Sequence, residues 1–328
     1  RKQEDSADML GINESVKATS FPTASILACS FDTDLVSLVG DAIALEAKEN
    51  EVSVVLGPGV NIKRNPLCGR NFEYYSEDPY LSGKLGAAFV NGAKKQGIGC
   101  SVKHFALNNQ EYKRFVSDSL ADERTMREIY LAPFETVVKE AGPDMVMCAY
   151  NKLNGTYCSD NKWLLTDVLR NEWGFDGVVV TDWGALNNRM EGFKAGCDLC
   201  MPGGAAYMEA EALEAVEKGL LSEEDVNTSV SRILNLVQKR KIVAEGLDKD
   251  GLLNKHYELA KVVAIESAVL LKNDENILPL SKEEVEKIVA DTIALKEYQE
   301  MEEPKEVLET IPLLERDDID KKGQELKN

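Results

Sequence analysis

The sequence of 328 residues predicts an α/β fold, a (β/α)8 TIM-like barrel incomplete at its N-terminus, followed by a helical or extended acidic C-terminal tail. At least five short, continuous apolar segments alternate with helical segments between residues 52 and 201, as in a parallel sheet buried on both faces. Polar and aromatic residues follow several of these segments, as at the rim of a β/α barrel. A doubly wound sheet is the alternative, but the sequence has no Gly-x-Gly-x-x-Gly segment and no Walker motif.

The individual elements are predicted from apolar periodicity and capping residues. We expect helices at about 32–50, 79–96, 122–141, 161–173, 185–194, 205–219 and 222–240. We expect strands at about 52–56, 97–102, 145–149, 178–180 and 197–201. Asp32 or Asp34 can cap the first of these helices, and Gly142 with Pro143 can end the third.

The chain divides by composition into three segments. We expect a barrel-like domain at residues 1–245, a connector toward a missing second domain at 246–282, and an acidic helical or disordered tail at 283–328. The tail contains 15 acidic and 7 basic side chains, a net charge of 7 − 15 = −8. Its one predicted helix lies near 282–300, and an extended or mobile segment follows.

The net charge limits the classes of partner. With 38 basic and 57 acidic residues, the chain carries a formal charge of −19. Such a field repels nucleic acid and anionic membranes, so neither is an expected partner. It does not repel a neutral or cationic small molecule. No apolar stretch reaches the roughly 18–20 residues of a membrane span, and no signal peptide is recognisable.

The cysteines indicate a reducing compartment and no metal site. There are seven, an odd number at irregular spacing, so a disulfide framework is not expected and the predicted location is cytoplasmic. Cys197 and Cys200 are separated by two residues, but no second cysteine pair or histidine pair completes a zinc site. We therefore predict packing roles for these two cysteines, and no metal or cofactor.

Asp182 is the strongest candidate for a catalytic residue. It directly follows the strand predicted at 178–180 and precedes Trp183 and Gly184. A carboxylate fixed at a strand end beside an indole is placed to attack the anomeric carbon of a sugar. The alternative is structural, since aspartate is also a good N-cap for the helix expected next. The residues alone leave both interpretations open.

Lys103 and His104 follow another predicted strand. As fixed donors they could hold sugar hydroxyls, and the lysine could instead form a Schiff base in an aldolase-type barrel. The structural alternative is a salt bridge beside a buried, hydrogen-bonded histidine. Because the chain has only two histidines, this placement at a strand end favours a functional role.

Arg70 and two aromatic residues complete the candidate set. Arg70 could bind vicinal hydroxyls through its planar guanidinium, or could form an ion pair with Glu73 or Asp78. Tyr150 and Trp183 could stack on a sugar ring, although lone aromatic residues are more often part of the core.

Four motifs, in the same order, resemble the first domain of glycoside hydrolase family 3, and most closely its β-glucosidases. The similarity runs from residue 1 to about 281, and the motifs lie at Gly57–Pro79, Lys103–Glu111, Met147–Gly155 and Val180–Gly184. The resemblance implies that Asp182 is the nucleophile. It also implies that Tyr150 lies near it, that Met147 and Trp183 shape the pocket, and that Arg70, Lys103 and His104 bind hydroxyls of the innermost sugar. The implied substrate is a small saccharide or β-glucoside.

A family comparison also predicts the type of pocket. Family members that cleave N-acetylglucosamine carry Lys-His-Phe-Pro-Gly-His-Gly with a catalytic histidine. This chain has Ala106, Leu107 and Asn108 at the corresponding place, which favours a glucosidase-like pocket.

Two departures from the family pattern suggest a chain truncated at both ends. The Asp-Gly-Pro segment expected just upstream of residue 1 is absent, and its aspartate clasps sugar hydroxyls in the family. The general acid/base glutamate of this subgroup comes from a second α/β domain, which residues 283–328 do not resemble. That segment is instead similar to an inter-half segment of large zinc metallopeptidases of the presequence-degrading kind, and it has no metal motif.

These features predict a retaining β-glucosidase with half of its machinery. A retaining enzyme uses two carboxyl groups about 5–5.5 Å apart. Asp182 supplies one, and the positive charges of Lys103 and His104 are expected to keep it ionised. Without the second, we expect an impaired hydrolase. The alternatives are a non-catalytic sugar-binding remnant, a Lys103-dependent aldolase, and a barrel that cannot close into a stable fold.

Overall fold

The computed structural model describes residues 2–3, 16–203 and 206–302. The chain divides into two compact units, Arg1–Val269 and Leu270–Asn328. Among the described residues, no helix is both long and apolar enough to cross a membrane.

The centre of the first unit is a parallel sheet. The strands are β1 (Lys2–Gln3), β2 (Val16–Lys17), β3 (Val54–Val55), β4 (Gly99–Phe105), β5 (Asp118–Ser119), β6 (Met145–Cys148), β7 (Lys152–Leu153), β8 (Thr156–Tyr157) and β9 (Val178–Thr181). Four of them form the central sheet in the order β3–β4–β6–β9, and every pair is parallel. β1 pairs with β2, and β5, β7 and β8 form a small separate sheet.

The predicted strand at 197–201 is wrong as a strand. Within the described residues, only an isolated bridge between Val180 and Leu199 extends the sheet at that edge. The segment is held instead by the Asp198 carboxylate, which accepts a hydrogen bond from the backbone N–H of Val179 and ion pairs from Arg170 and Arg232. These side-chain bonds replace the ladder that the apolar run predicted.

The helices largely follow the predicted positions. They are α1 (Ala24–Ala28), α2 (Thr33–Glu49), α3 (Pro79–Lys95), α4 (Glu123–Thr125), α5 (Ala132–Ala141), α6 (Arg189–Ala195), α7 (Ala206–Glu217), α8 (Glu223–Lys239) and α9 (Lys249–Glu266). A π-helix occupies Trp163–Glu172, inside the helix predicted at 161–173. Asp32 caps α2 through bonds from two backbone N–H groups, as expected.

The single helix predicted at 122–141 is wrong. Between α4 and α5, Met126–Tyr130 forms a π-helix, and the N–H of Leu131 donates to the carbonyl of Met126 at 2.8 Å. Pro133 explains the interruption, since it has no N–H to donate and its ring crowds the preceding turn. The predicted end is confirmed, because Gly142 adopts φ 54° at the C-cap of α5.

Both faces of the central sheet are buried. One face, including Val146, Cys148 and Val179, joins the main core. The other face contributes Met145, Met147, Val178 and Val180, packed against the residues Val54, Leu199, Met201, Ile233 and Leu236. This double burial explains why the strands are continuously apolar. The fold is therefore an incomplete α/β barrel, since the four-stranded sheet is not closed within the described residues.

Helices α2 and α3 touch through their backbones at two glycines. A Cβ at Gly40 would lie 2.3 Å from the carbonyl oxygen of Phe89, and one at Gly92 would lie 2.0 Å from that of Ser37. Both distances are far below any van der Waals contact. Only glycine at these two positions lets the helices approach so closely.

Helix α9 belongs to the first unit, although residues 246–282 were expected to form a connector. The Glu49 carboxylate at the end of α2 accepts bonds from the N–H groups of Glu245, Gly246 and Leu247, at 2.7, 3.0 and 3.0 Å. His256 of α9 contacts Glu46 of α2 at 2.6 Å. The three-segment division of the chain remains a prediction.

In the second unit, helix α10 spans Lys282–Glu302, close to the helix predicted at 282–300. Val285, Ile288 and Val289 on this helix are exposed. Residues 303–328 of the predicted tail lie outside the described residues.

The α2–α3 contact generates a prediction about Gly92→Ala. Alanine normally stabilises a helix interior by about 0.5–1 kcal/mol relative to glycine. Here we expect the opposite sign, a loss of about 1–3 kcal/mol in the free energy of unfolding, because the backbone of α2 must move. Urea unfolding measures the change. Gly69→Ala, where a Cβ meets nothing within 4 Å, is the control and should change stability by less than about 0.5 kcal/mol. A stabilised Gly92→Ala variant would refute the contact.

Candidate active site

Three neighbouring strands bring the predicted residues to one end of the central sheet. Lys103 and His104 lie in β4, Tyr150 follows β6 by two residues, and Asp182 directly follows β9. The N–H of Asp182 donates to the carbonyl of Cys148 at 3.1 Å, so the strand pairing continues into the site. Parallel strands expose their carboxyl ends at the same edge, which is why residues distant in sequence meet here.

The Asp182 carboxylate is fixed through both of its oxygens. Oδ1 accepts a hydrogen bond from the backbone N–H of Trp183 at 2.7 Å, and Oδ2 lies 3.3 Å from Nη1 of Arg70. The residue is 9% exposed. The helix-cap alternative is wrong, because the next helix, α6, begins at Arg189 and is capped by the side chain of Asn188.

Arg70 connects the charged groups of the site. Its Nε and Nη2 donate to the two oxygens of Glu73 at 2.7 and 3.1 Å, and Nη2 also lies 2.7 Å from Nε2 of His104. Burial opposes the charge, but hydrogen bonding to Glu73 and the charges of Glu73 and Asp182 raise the pKa of Arg70 above its ordinary value. The ion pair with Glu73 and the contact with Asp182 therefore exist together.

Glu73 is the second carboxylate of this cluster, and it is held ionised. Burial alone would raise its pKa, but the hydrogen bonds from Arg70 and the charge of Lys103, 3.3 Å away, lower it overall. An acid that protonates a leaving group must hold a proton at working pH. Glu73 is therefore unsuited to the general-acid role, and its role is to orient Arg70 and Lys103.

His104 is neutral, which corrects the expectation that it carries a positive charge beside Asp182. Complete burial lowers its pKa well below 6.5, and the charges of Arg70 and Lys103 lower it further. A guanidinium nitrogen only donates, so Nε2 must accept from Arg70 and the ring proton must sit on Nδ1, which donates to the Tyr74 hydroxyl at 2.8 Å. The charge that reaches Asp182 is that of Arg70.

Sequence reasoning missed two residues that hold His104 in place. The Asn61 side chain accepts from the N–H of His104 at 2.6 Å and donates to its carbonyl at 2.8 Å, as a neighbouring strand would. Tyr74 is fully buried and accepts from the ring. Both lie within the motif at Gly57–Pro79, but alternating polar and aromatic residues there gave no sign of which ones face the site.

Arg114 was also missed. Its guanidinium carbon lies 4.2 Å from the ring centroid of Tyr150, and its Nη1 lies 3.1 Å from Glu111. The Tyr150 hydroxyl donates to the carbonyl of Trp183 at 2.9 Å. Burial, with the Asp182 carboxylate, raises the pKa of Tyr150 to about 12. Tyr150 is thus a neutral donor beside the nucleophile candidate.

Met147 does not join the hydrogen-bonded cluster. It lies in the apolar group on the sheet face that includes Met145, Val178 and Val180. Among the described residues, no group of three or more histidine, cysteine or acidic side chains is placed to hold a metal ion. The cluster combines an ionised carboxylate, two cations and several fixed donors, a set that can bind a polyhydroxylated ligand and attack an electrophilic carbon.

The assigned state of His104 predicts its NMR spectrum. In protein labelled with nitrogen-15 histidine, the ring of His104 should show the neutral form protonated at Nδ1 from pH 8 to pH 5. The unfolded chain takes up a proton near pH 6.5 and the folded one does not, so acidification through this range should lower stability. The variant His256→Asn assigns the signals. An imidazolium pattern for His104 above pH 6 would contradict the assignment.

The comparisons with known proteins divide the chain into two matching segments. Residues 6–236 match the glycosyl hydrolase family 3 N terminal domain. Residues 263–328 match a different family model, which describes a peptidase-associated segment.

Relatives and solved structures agree with the first match. The thermostable β-glucosidase B of Acetivibrio thermocellus is 51% identical over 303 residues, 91% of this chain and 40% of that protein. The exo-α-(1→6)-L-arabinopyranosidase of Bifidobacterium longum is 46% identical over 277 residues, 84% of this chain and 36% of that protein.

A solved structure adds the three-dimensional comparison. The β-glucosidase 3B of Thermotoga neapolitana, in complex with α-D-glucose, aligns with a TM-score of 0.77 and 45% identity over 83% of this chain and 39% of that one. The chain thus spans about 40% of the length of the relatives it matches. With the family model covering most of its length, the chain belongs to glycosyl hydrolase family 3.

Proposed function

We propose that this chain carries the nucleophile half of a retaining glycosidase of the β-glucosidase type, which hydrolyses terminal, non-reducing β-D-glucosyl residues. The observation that carries the proposal is the Asp182 carboxylate, fixed by Trp183 and Arg70 at the strand end of a family 3 domain. Asp182 attacks the anomeric carbon, the bond to the leaving oxygen breaks, and a glycosyl-enzyme forms. Water then releases the sugar.

The surrounding side chains have separate roles in this proposal. Lys103 and Arg70 donate to hydroxyls of the innermost sugar, and each is already oriented by Glu73. His104 orients Arg70 through its ring nitrogen. Trp183 fixes the nucleophile by its backbone and, with Tyr150, borders the sugar. Met147 supports the pocket from the apolar side of the sheet.

The second carboxyl group limits the activity we propose. Within the described residues, the carboxylate of the cluster other than Asp182 is Glu73, which is ionised and bound to two cations. General acid/base assistance contributes roughly 10²–10⁴-fold to the rate. We therefore propose that this chain alone is an impaired hydrolase. The alternative is a non-catalytic sugar-binding remnant, which would bind glucose or an iminosugar and form no covalent intermediate.

A second sugar calls for a direct comparison, because the arabinopyranosidase relative matches this domain nearly as closely as the β-glucosidase does. An α-L-arabinopyranoside is therefore the competing substrate. The cytoplasmic location also remains a proposal, supported by the irregular spacing of the cysteines, all seven of which are free thiols.

Covalent trapping tests the nucleophile. Incubated with a fluorinated glucoside that has a dinitrophenyl leaving group, the chain should gain one sugar mass on the peptide that contains Asp182, as read by mass spectrometry. Asp182→Asn should gain none. The corresponding fluorinated arabinopyranoside decides between the two sugars. An unmodified wild-type chain that still binds an iminosugar by calorimetry would overturn the nucleophile proposal and support the remnant.

The missing acid predicts a strong dependence on the leaving group. Dinitrophenyl β-glucoside departs without a proton, whereas phenyl β-glucoside needs one. We expect kcat/KM to fall by at least about 10²-fold from the first substrate to the second. Steady-state kinetics with both substrates measures the ratio, with Asp182→Asn as the background. A ratio near one would mean that an acid is present in this chain.

A further inference from the structure

An exposed aromatic residue lies at the edge of the candidate active site. The loop from 106 to 117, between β4 and β5, carries Tyr112 and Phe115, which are 76% and 51% exposed. The Phe115 ring packs edge-on against the buried ring of Tyr150, with 4.6 Å between the centroids. Exposed aromatic rings cost free energy in water, so a half-exposed ring fixed beside a catalytic cluster calls for an explanation.

Phe115 is held in a defined position. The Tyr157 hydroxyl donates to its carbonyl at 3.1 Å, which ties the loop to β8. The guanidinium carbon of Arg114 lies 5.3 Å from the Phe115 ring centroid and 4.2 Å from that of Tyr150. Glu111 forms an ion pair with Arg114 at 3.1 Å and so orients the cation. The exposed face of the ring is therefore preorganised.

The contacts of Phe115 lead inward to the nucleophile. Phe115 packs on Tyr150, the Tyr150 hydroxyl bonds to the carbonyl of Trp183, and the N–H of Trp183 bonds to Asp182. Three aromatic residues thus form a row from the buried carboxylate to the surface. A substrate with its sugar at Asp182 has its leaving group directed outward, along this row.

Tyr112 is not part of the row. Its ring is contacted by the ammonium of Lys113 at 5.5 Å, and it is the more exposed of the two. It therefore provides a matched control, since it lies in the same loop, has the same kind of side chain and lacks the contact with Tyr150.

We infer that Phe115 determines specificity for the leaving group, favouring glucosides whose aglycone presents a flat apolar ring, such as an aryl group. This rests on the proposed function. The apolar ring of the aglycone stacks on the exposed face of Phe115, and a stacked pair contributes enough to change affinity by about 2- to 10-fold. An aglycone without a ring gains nothing from this residue.

Binding to glycosides that resist hydrolysis tests the inference on the full chain. We expect phenyl thio-β-glucoside to bind more tightly than methyl thio-β-glucoside in calorimetric titrations. Phe115→Ala should remove about 2- to 10-fold of the phenyl affinity and leave the methyl affinity unchanged. Phe115→Leu keeps an apolar side chain without the ring, and it should lose part of the preference while preserving the fold. Tyr112→Ala should bind both ligands as the wild type does.

Each outcome has a distinct meaning. If Phe115→Ala and Phe115→Leu keep the full phenyl preference, or if Tyr112→Ala loses it equally, the inference is wrong, and Phe115 only packs against Tyr150. If the wild type binds both glycosides equally, the inference is wrong and the proposed function stands. If neither glycoside binds, the proposed function fails as well.

Discussion

The guanidinium of Arg70 is the interaction on which the site depends. Four of its five N–H groups bond to Glu73, His104 and Asp182, which come from three separate stretches of the chain. Because a guanidinium only donates, this one group fixes the ring proton of His104 and supplies positive charge to Asp182. Glu73 offsets that charge and is itself held ionised, so the cluster as a whole is balanced in a half-buried place. The position of Lys103 follows, since it shares Glu73 with Arg70.

Sequence reasoning predicted which residues meet, but not the state of each. Residues at the ends of β4, β6 and β9 were expected to share one rim, since a parallel sheet requires it. The neutral form of His104 was not foreseen, because its cause is complete burial between two cations, and burial is a tertiary property. Asn61 and Tyr74 were missed for the same reason: their roles depend on which way a loop turns its side chains.

Local signals determined how well the elements were predicted. Helix α2 and its Asp32 cap are set by residues within one turn, so the sequence was sufficient. The helix predicted at 122–141 was wrong because its periodicity continues across Pro133, where the backbone cannot. The strand expected at 197–201 has the right apolar pattern, yet Asp198 takes over the backbone bond that a neighbouring strand would have supplied.

The contact between α2 and α3 limits how this domain can change by mutation. Gly40 and Gly92 each face a carbonyl of the opposite helix, so a methyl group at either position requires a whole helix to move. No single neighbouring substitution makes that room, because the obstructing atoms are backbone. A library built to alter the site should therefore hold both glycines constant and vary the loops that follow the strands. Those loops carry the chemistry, while the helix pair sets the spacing beneath them.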